Sequence, residues 1–299
     1  MDTVQKTSQY ESDITKLLDK AGIPNCIWGE GILQLMGAGE QFNRFSWVIP
    51  DEEIHKASKA LSDAKYTRQN RSRSPGESMG DCVYLYPSDH MIEVHLFAKS
   101  RLCWTFPDLP REAPQPDDEF YILTSQVQRL EDNVPCVRDY PSKESHPVRM
   151  PRPEKFLEAL VLLCFRDLIL QEFFDPWKKQ LRMIAKHLFK GFRCCGLHPV
   201  FADYLIRFSI RIGSEDRKNQ SLPDPDLHLM YVCLTRLGQL PLPEKDVPRD
   251  AWPGEQDIRK RFRKVNKALD VCSYDGPAQG TVMWTHQEVV MTLESEMWK

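Results

Sequence analysis

The sequence has no long apolar run: the longest uninterrupted stretch, Ala159 to Phe165, stops at Arg166, far short of the roughly 20 residues that span a bilayer as a helix. It lacks an excess of charge of one sign, with 40 Lys plus Arg against 43 Asp plus Glu and a net charge of -3. A polybasic, histone-like association with nucleic acid is thereby excluded. It lacks a paired cysteine framework, because the nine cysteines are an odd number and several sit in apolar stretches such as Leu160 to Phe165, where Cys behaves as a small hydrophobe. Free thiols are expected. Internal repeats, low-complexity tracts and a Gly-x-Ser-x-Gly nucleophile elbow are also missing; Ser74-Pro75-Gly76-Glu77-Ser78 is not one. Met1 to Asp13 is polar and mixed in charge, so cytoplasmic residence is expected.

What is present is an ordinary globular composition, 41% hydrophobic and 28% charged over 299 residues, enough chain to bury a core without staples. Ile14, Leu17, Leu18 and Ala21 share a helical face, and Gly22 with Pro24 ends it, which predicts a short helix over Ser12 to Ala21. Cys26-Ile27-Trp28, the turn glycine Gly29 and the apolar Ile32, Leu33, Leu35 and Met36 read as strand, tight turn, helix. Phe42 to Ile49 reads as a second strand, and Asp51 is placed to cap a helix over Glu52 to Ala64. Tyr66 to Asp81 is polar and reads as a loop. Cys82 to Tyr86 and Met91 to Phe97 read as a hairpin, with Phe120 to Leu123 as a late strand and Thr124 to Leu130 as a helical turn in a proline-rich crossover. From Glu154 the period becomes helical. A buried helix over Phe156 to Phe174 is expected, followed by helices over Trp177 to Phe189, Val200 to Ile212, Asp226 to Leu237 and Asp257 to Leu269. The expected class is α+β: a small mixed β-sheet domain over 1–110, a crossover over 111–153 and an α-helical domain over 154–299.

This layout resembles that of the nucleotidyltransferase fold. The wording of Ala21-Gly22-Ile23-Pro24, Trp28-Gly29-Glu30, Trp47-Val48-Ile49-Pro50-Asp51, Ala57 to Leu61 and Ile92-Glu93-Val94-His95-Leu96-Phe97 resembles a group of fungal proteins with a nucleotidyltransferase-like domain. The resemblance covers about the first 100 residues. It implies nucleotidyl transfer through two divalent ions held by an Asp-x-Asp pair on one strand and a third carboxylate on a neighbour. The positions matching the pair are Arg44 and Ser46, neither able to hold magnesium as an acid does, while Glu93 stands at the third position. Side chains alternate along a strand, so Arg44 and Ser46 share one face, as do Glu93 and His95. If those faces meet, a site of charge about -3 is exchanged for an Arg/Glu pair near neutrality, and the attraction for a divalent cation is lost.

No metal and no cofactor are therefore expected. Gly29, Arg44 and Ser46, with Arg166 from the helical half, are candidates to line the cleft and bind a small-molecule ligand. Glu30, Glu93 and His95 are the catalytic candidates. Each has a plainer reading: Glu30 as an acid at a helix start, and Glu93 as the buried ion partner of Arg44. The expected function is a nucleotidyltransferase-fold protein that has lost two-metal transfer and uses the old cleft for binding or scaffolding. Two alternatives remain open: a metal-independent acid/base enzyme on a small organic substrate, in fungal specialised metabolism, and a still active transferase using Glu30, Asp51 and Glu93. Cys194-Cys195 with His198 lacks the further ligands of a zinc site. The basic run Arg259 to Lys267 reads as a solvated helix face, so nucleic acid is not the expected partner.

Overall fold

The structure, a computed structural model, describes residues 3–37, 43–69, 80–127, 145–166 and 177–184, together with 201 and 205. It is α+β. A five-stranded mixed sheet has the order β1-β2-β5-β4-β3, built from β1 (Cys26–Trp28), β2 (Arg44–Ile49), β5 (Asp89–Ala98), β4 (Cys82–Tyr86) and β3 (Thr67–Arg68). Only β2 and β5 run parallel; the other neighbours are antiparallel.

Helix α1 spans Thr3–Lys20 and begins well before the predicted start at Ser12. The predicted stop holds, and for the predicted reason. Gly22 takes φ 68, its N–H bonds the Asp19 carbonyl at 2.9 Å, and Ile23 N–H bonds the Leu18 carbonyl at 3.0 Å, the paired bonds of a Schellman cap. Helix α3 (Ile54–Asp63) ends the same way, with Lys65 rather than glycine at the left-handed position, φ 69. Both helices lie on one face of the sheet. Trp47 Nε1 donates to Thr15 Oγ1 at 3.2 Å, and the Tyr84 hydroxyl donates to the Ser58 carbonyl at 3.2 Å.

The opposite face carries Arg44, Ser46, Glu93 and His95. It meets α5 (Pro153–Arg166), whose residues from Phe156 to Arg166 are all buried. Trp28 packs edge-on against Phe156, ring centroids 5.0 Å apart. The remainder of the predicted Phe156 to Phe174 helix lies outside the described residues. Of the later helices, 177–184 is helical, and so are Phe201 and Leu205 within the predicted Val200 to Ile212; the rest of those spans, like the basic run Arg259 to Lys267, Cys194-Cys195 with His198, and Ser74 to Ser78, lies outside the described residues.

Several expectations are corrected. Asp51 does not cap the helix that follows it, which is entered through a 3-10 turn (Asp51–Glu53) with no side-chain cap. Its Oδ1 accepts instead from Ser100 N–H at 2.9 Å, tying the end of β2 to the unforeseen short helix α4 (Lys99–Leu102). The loop from Tyr66 contains β3. The crossover holds a second, two-stranded sheet: β6 (Tyr121–Leu123), close to its predicted place, pairs with the unpredicted β7 (Arg149–Pro151). Arg149 in β7 grips Asp19 of α1 at 2.8 and 3.0 Å, while His146 Nε2 and Asn25 Nδ2 reach the same carboxylate at 2.6 and 2.9 Å. Burial works to raise the Asp19 pKa, but these hydrogen bonds and the Arg149 charge outweigh it and lower it. One apolar cluster runs from Ile14 through the sheet to Phe165 and Leu205. Among the described residues, no helix is long and apolar enough to cross a membrane.

Candidate functional site

The site is built where β1 turns into α2 (Glu30–Leu35) beside the parallel pair β2 and β5. Gly29 makes the turn with φ 71 and ψ -128, a backbone state that side chains resist. Its carbonyl accepts from Ile32 and Leu33 N–H at 3.0 and 3.1 Å, starting α2 without a side-chain cap. A Cβ at Gly29 would stand 4.0 Å from both Ser46 Oγ and Gln180 Nε2. The turn is thus held close to the central strand on one side and to the helical segment 177–184 on the other. Glu30 follows in the first turn of α2, half-buried.

The parallel register sets Arg44 opposite Glu93 and Ser46 opposite His95. Arg44 Nε lies 3.9 Å from Glu93 Oε2, and the side chains keep 25% and 17% of their exposure. The same Oε2 lies 3.1 Å from His95 Nε2. On the far side of the ring, Gly80 N–H donates to His95 Nδ1 at 3.2 Å. Because Nδ1 accepts, the proton of the neutral ring belongs on Nε2, which donates to Glu93. His95 is 1% exposed. Burial depresses its pKa first, and the Arg44 charge adds to this; the Glu93 hydrogen bond and the charges of Glu93 and Glu30 only partly offset them. The imidazole is therefore neutral at physiological pH, with both nitrogens engaged.

The structure thus places His95 with donor and acceptor both occupied inside the protein, Nε2 on the Glu93 carboxylate and Nδ1 under the Gly80 N–H. Gly80, which composition alone does not single out, matters because its missing side chain lets the backbone reach His95. A Cβ there would lie 2.7 Å from the Leu96 carbonyl oxygen.

Arg166 is not brought to the cleft. It is buried, its Nη1 donates to the Arg101 carbonyl, and its guanidinium lies 5.2 Å from the Trp104 ring centre. Arg101 in turn sits 5.5 Å from the Phe97 ring centre and pairs with Asp81 at 3.0 Å. Arg166 therefore ties α5 to α4 and the Trp104 that follows it. Asp51 is likewise committed to α4.

The donor set does not fit divalent ions. Beside Ser46 the described side chains offer one carboxylate, Glu93, which is already paired with Arg44 and bonded to His95. Among the described residues, no group of three or more His, Cys, Asp or Glu is arranged to hold a metal. The four described cysteines, Cys26, Cys82, Cys103 and Cys164, are free and buried. Burial raises the thiol pKa at Cys26 and Cys82, and pushes Cys103 up to about 12, the opposite of an activated nucleophile.

No protein-family profile matches the chain, and no curated protein matches it. Among solved structures, a solution structure of the antibiotic-resistance factor ANT(2'')-Ia is similar at 12% sequence identity and a TM-score of 0.35, covering 73% of this chain and 100% of that one. Fold and site rest on the chain's own residues.

Proposed function

We propose that this protein binds a small molecule in the cleft above β2 and β5 without divalent ions, and that it does not transfer nucleotides. The observation that carries this is the Arg44–Glu93–His95 set: the carboxylate at the third position of the nucleotidyltransferase-like layout is neutralised by a guanidinium standing at the first. The half-buried Glu30 beside the turn adds negative charge where a triphosphate would need none. Four buried free thiols fit a reducing compartment such as the cytoplasm. The near-neutral charge argues against nucleic acid as the partner.

A second reading, a metal-independent acid/base enzyme acting on a small organic substrate, is favoured by one contact. The His95 bond fixes the partly exposed Glu93 carboxylate, as a positioned base requires. In that reading Glu93 touches the substrate and His95 is a positioning residue.

The first reading is tested by manganese relaxation. Titration of the purified protein with Mn²⁺ is expected to leave the water-proton relaxation of the free ion unchanged up to millimolar concentration. Stoichiometric enhancement that is lost in Glu93→Gln would overturn it.

A further inference from the structure

Two buried polar atoms of residues next to the Gly29 turn lack partners among the described residues. The Trp28 indole Nε1, a donor only, and the Gln180 carboxamide Oε1, an acceptor only, have no hydrogen-bond partner among the described residues. Trp28 is 2% exposed and Gln180 6%. Such orphans are rare in native interiors and call for a physical reason. Their residues are neighbours in the fold. Trp28 pairs with Ser46 across β1 and β2, Gly29 follows it directly, and the Gln180 amide approaches the turn as closely as Ser46 does.

We infer that the Gly29 turn carries a subsite for an uncharged polar group of the bound small molecule, a hydroxyl or a carboxamide, taking a hydrogen bond from Trp28 Nε1 and giving one to Gln180 Oε1. The chemistry selects the group. A carboxylate or phosphate satisfies the indole but sets its charge against the carboxamide oxygen; an ammonium satisfies the oxygen and leaves the indole orphaned. Only a group that both donates and accepts meets the two atoms together. The neighbouring Glu30 carboxylate disfavours anions in the same place. A Gly29 Cβ would stand 4.0 Å from Ser46 Oγ and from Gln180 Nε2, and the edge-on Phe156 ring packs against the Trp28 indole. The subsite spans β1 and the helical segment 177–184, so a ligand held there bridges the sheet and the helical half. This deepens the reading of the cleft as a metal-free binding site and rests on it.

The test is a titration of the full chain labelled with ¹⁵N in its Trp indoles, with the Trp28 signal assigned by Trp28→Phe. Acetamide and glycerol are added as the simplest neutral groups, and sodium acetate as the anion. The expected result is a saturable shift of the Trp28 signal with acetamide and glycerol and none with acetate. At least a tenfold weakening is expected in Gln180→Leu, or in the length-preserving Gln180→Met if the first does not fold. A signal unmoved by either neutral compound, one moved equally by acetate, or one showing exchange with a bound water only would overturn the subsite. The two levels separate cleanly: a silent Trp28 without manganese binding removes the subsite alone, whereas manganese broadening of the indole signals removes the metal-free reading beneath it.

Discussion

Glu93 Oε2 is shared: Arg44 Nε stands 3.9 Å from it across the parallel strands, and His95 Nε2 stands 3.1 Å from it along the same strand face. One carboxylate thus answers both a permanent cation and a neutral imidazole whose other nitrogen is held by the backbone of Gly80.

Removing the shared carboxylate measures its structural weight. Glu93→Gln keeps a hydrogen-bond acceptor for His95 but leaves Arg44 without its countercharge, and a loss of about 1–2 kcal/mol is expected. His95→Ala removes a buried ring and the Gly80 anchor together, and about 2–4 kcal/mol is expected. Urea unfolding of the two variants checks the order; a smaller loss for His95→Ala than for Glu93→Gln would contradict the positioning role.

Stability should fall on mild acidification because of His95. Its folded pKa lies below the unfolded value of 6.5, so the unfolded chain takes up the proton first. The contribution is complete above the unfolded value and is lost as pH drops below it. Asp19, whose folded pKa lies below 3.8, contributes in the same sense but loses its share only at lower pH. The thermal midpoint is expected to decrease between pH 7 and 5, with a shallower slope in His95→Gln; identical slopes would remove His95 as the cause.

Much of the fold is legible in the sequence because its periodicities are local. The β1 turn at Gly29, the strand Arg44–Ile49, the hairpin and the buried helix after Pro153 all follow from spacing and turn residues, and alternation alone puts Arg44 with Ser46 and Glu93 with His95. What stays hidden depends on long-range pairing. Arg149 looks like one arginine among many until Asp19 receives it. Asp51 looks like a cap for the next helix until Ser100 is folded against it. Arg166 sits in an apolar helix, where a polar cleft is one outlet and the Arg101 carbonyl another. Gln180 carries no motif; only its burial beside Gly29 marks it.

Backbone conformation makes opposite predictions at two positions. Lys65 ends α3 with φ 69 and is exposed, so Lys65→Gly is expected to stabilise by about 0.5–1 kcal/mol. Gly80→Ala places its Cβ 2.7 Å from the backbone oxygen of Leu96, which cannot yield as a side-chain tip does, and about 2–3 kcal/mol of destabilisation is expected. Thermal unfolding of both variants decides. A stabilised Gly80→Ala would show that the segment does not approach β5 as described.

Acids placed at positions 44 and 46 should create a metal site. Arg44→Asp with Ser46→Asp sets two carboxylates on one face of β2, with Glu93 opposite the first across the strand pair, a geometry suited to divalent cations. Manganese relaxation is expected to show binding in the double variant and none in the parent. No gain in the folded double variant would mean that these two positions are not where the metal-holding acids belong.

With Glu93 paired to Arg44, the cleft is expected not to take up nucleoside triphosphate through magnesium. Calorimetric titration of the purified protein with each ribonucleoside triphosphate, with and without magnesium, tests it most directly. No magnesium-dependent heat is predicted for any of them, and micromolar, magnesium-dependent binding of even one would contradict the account.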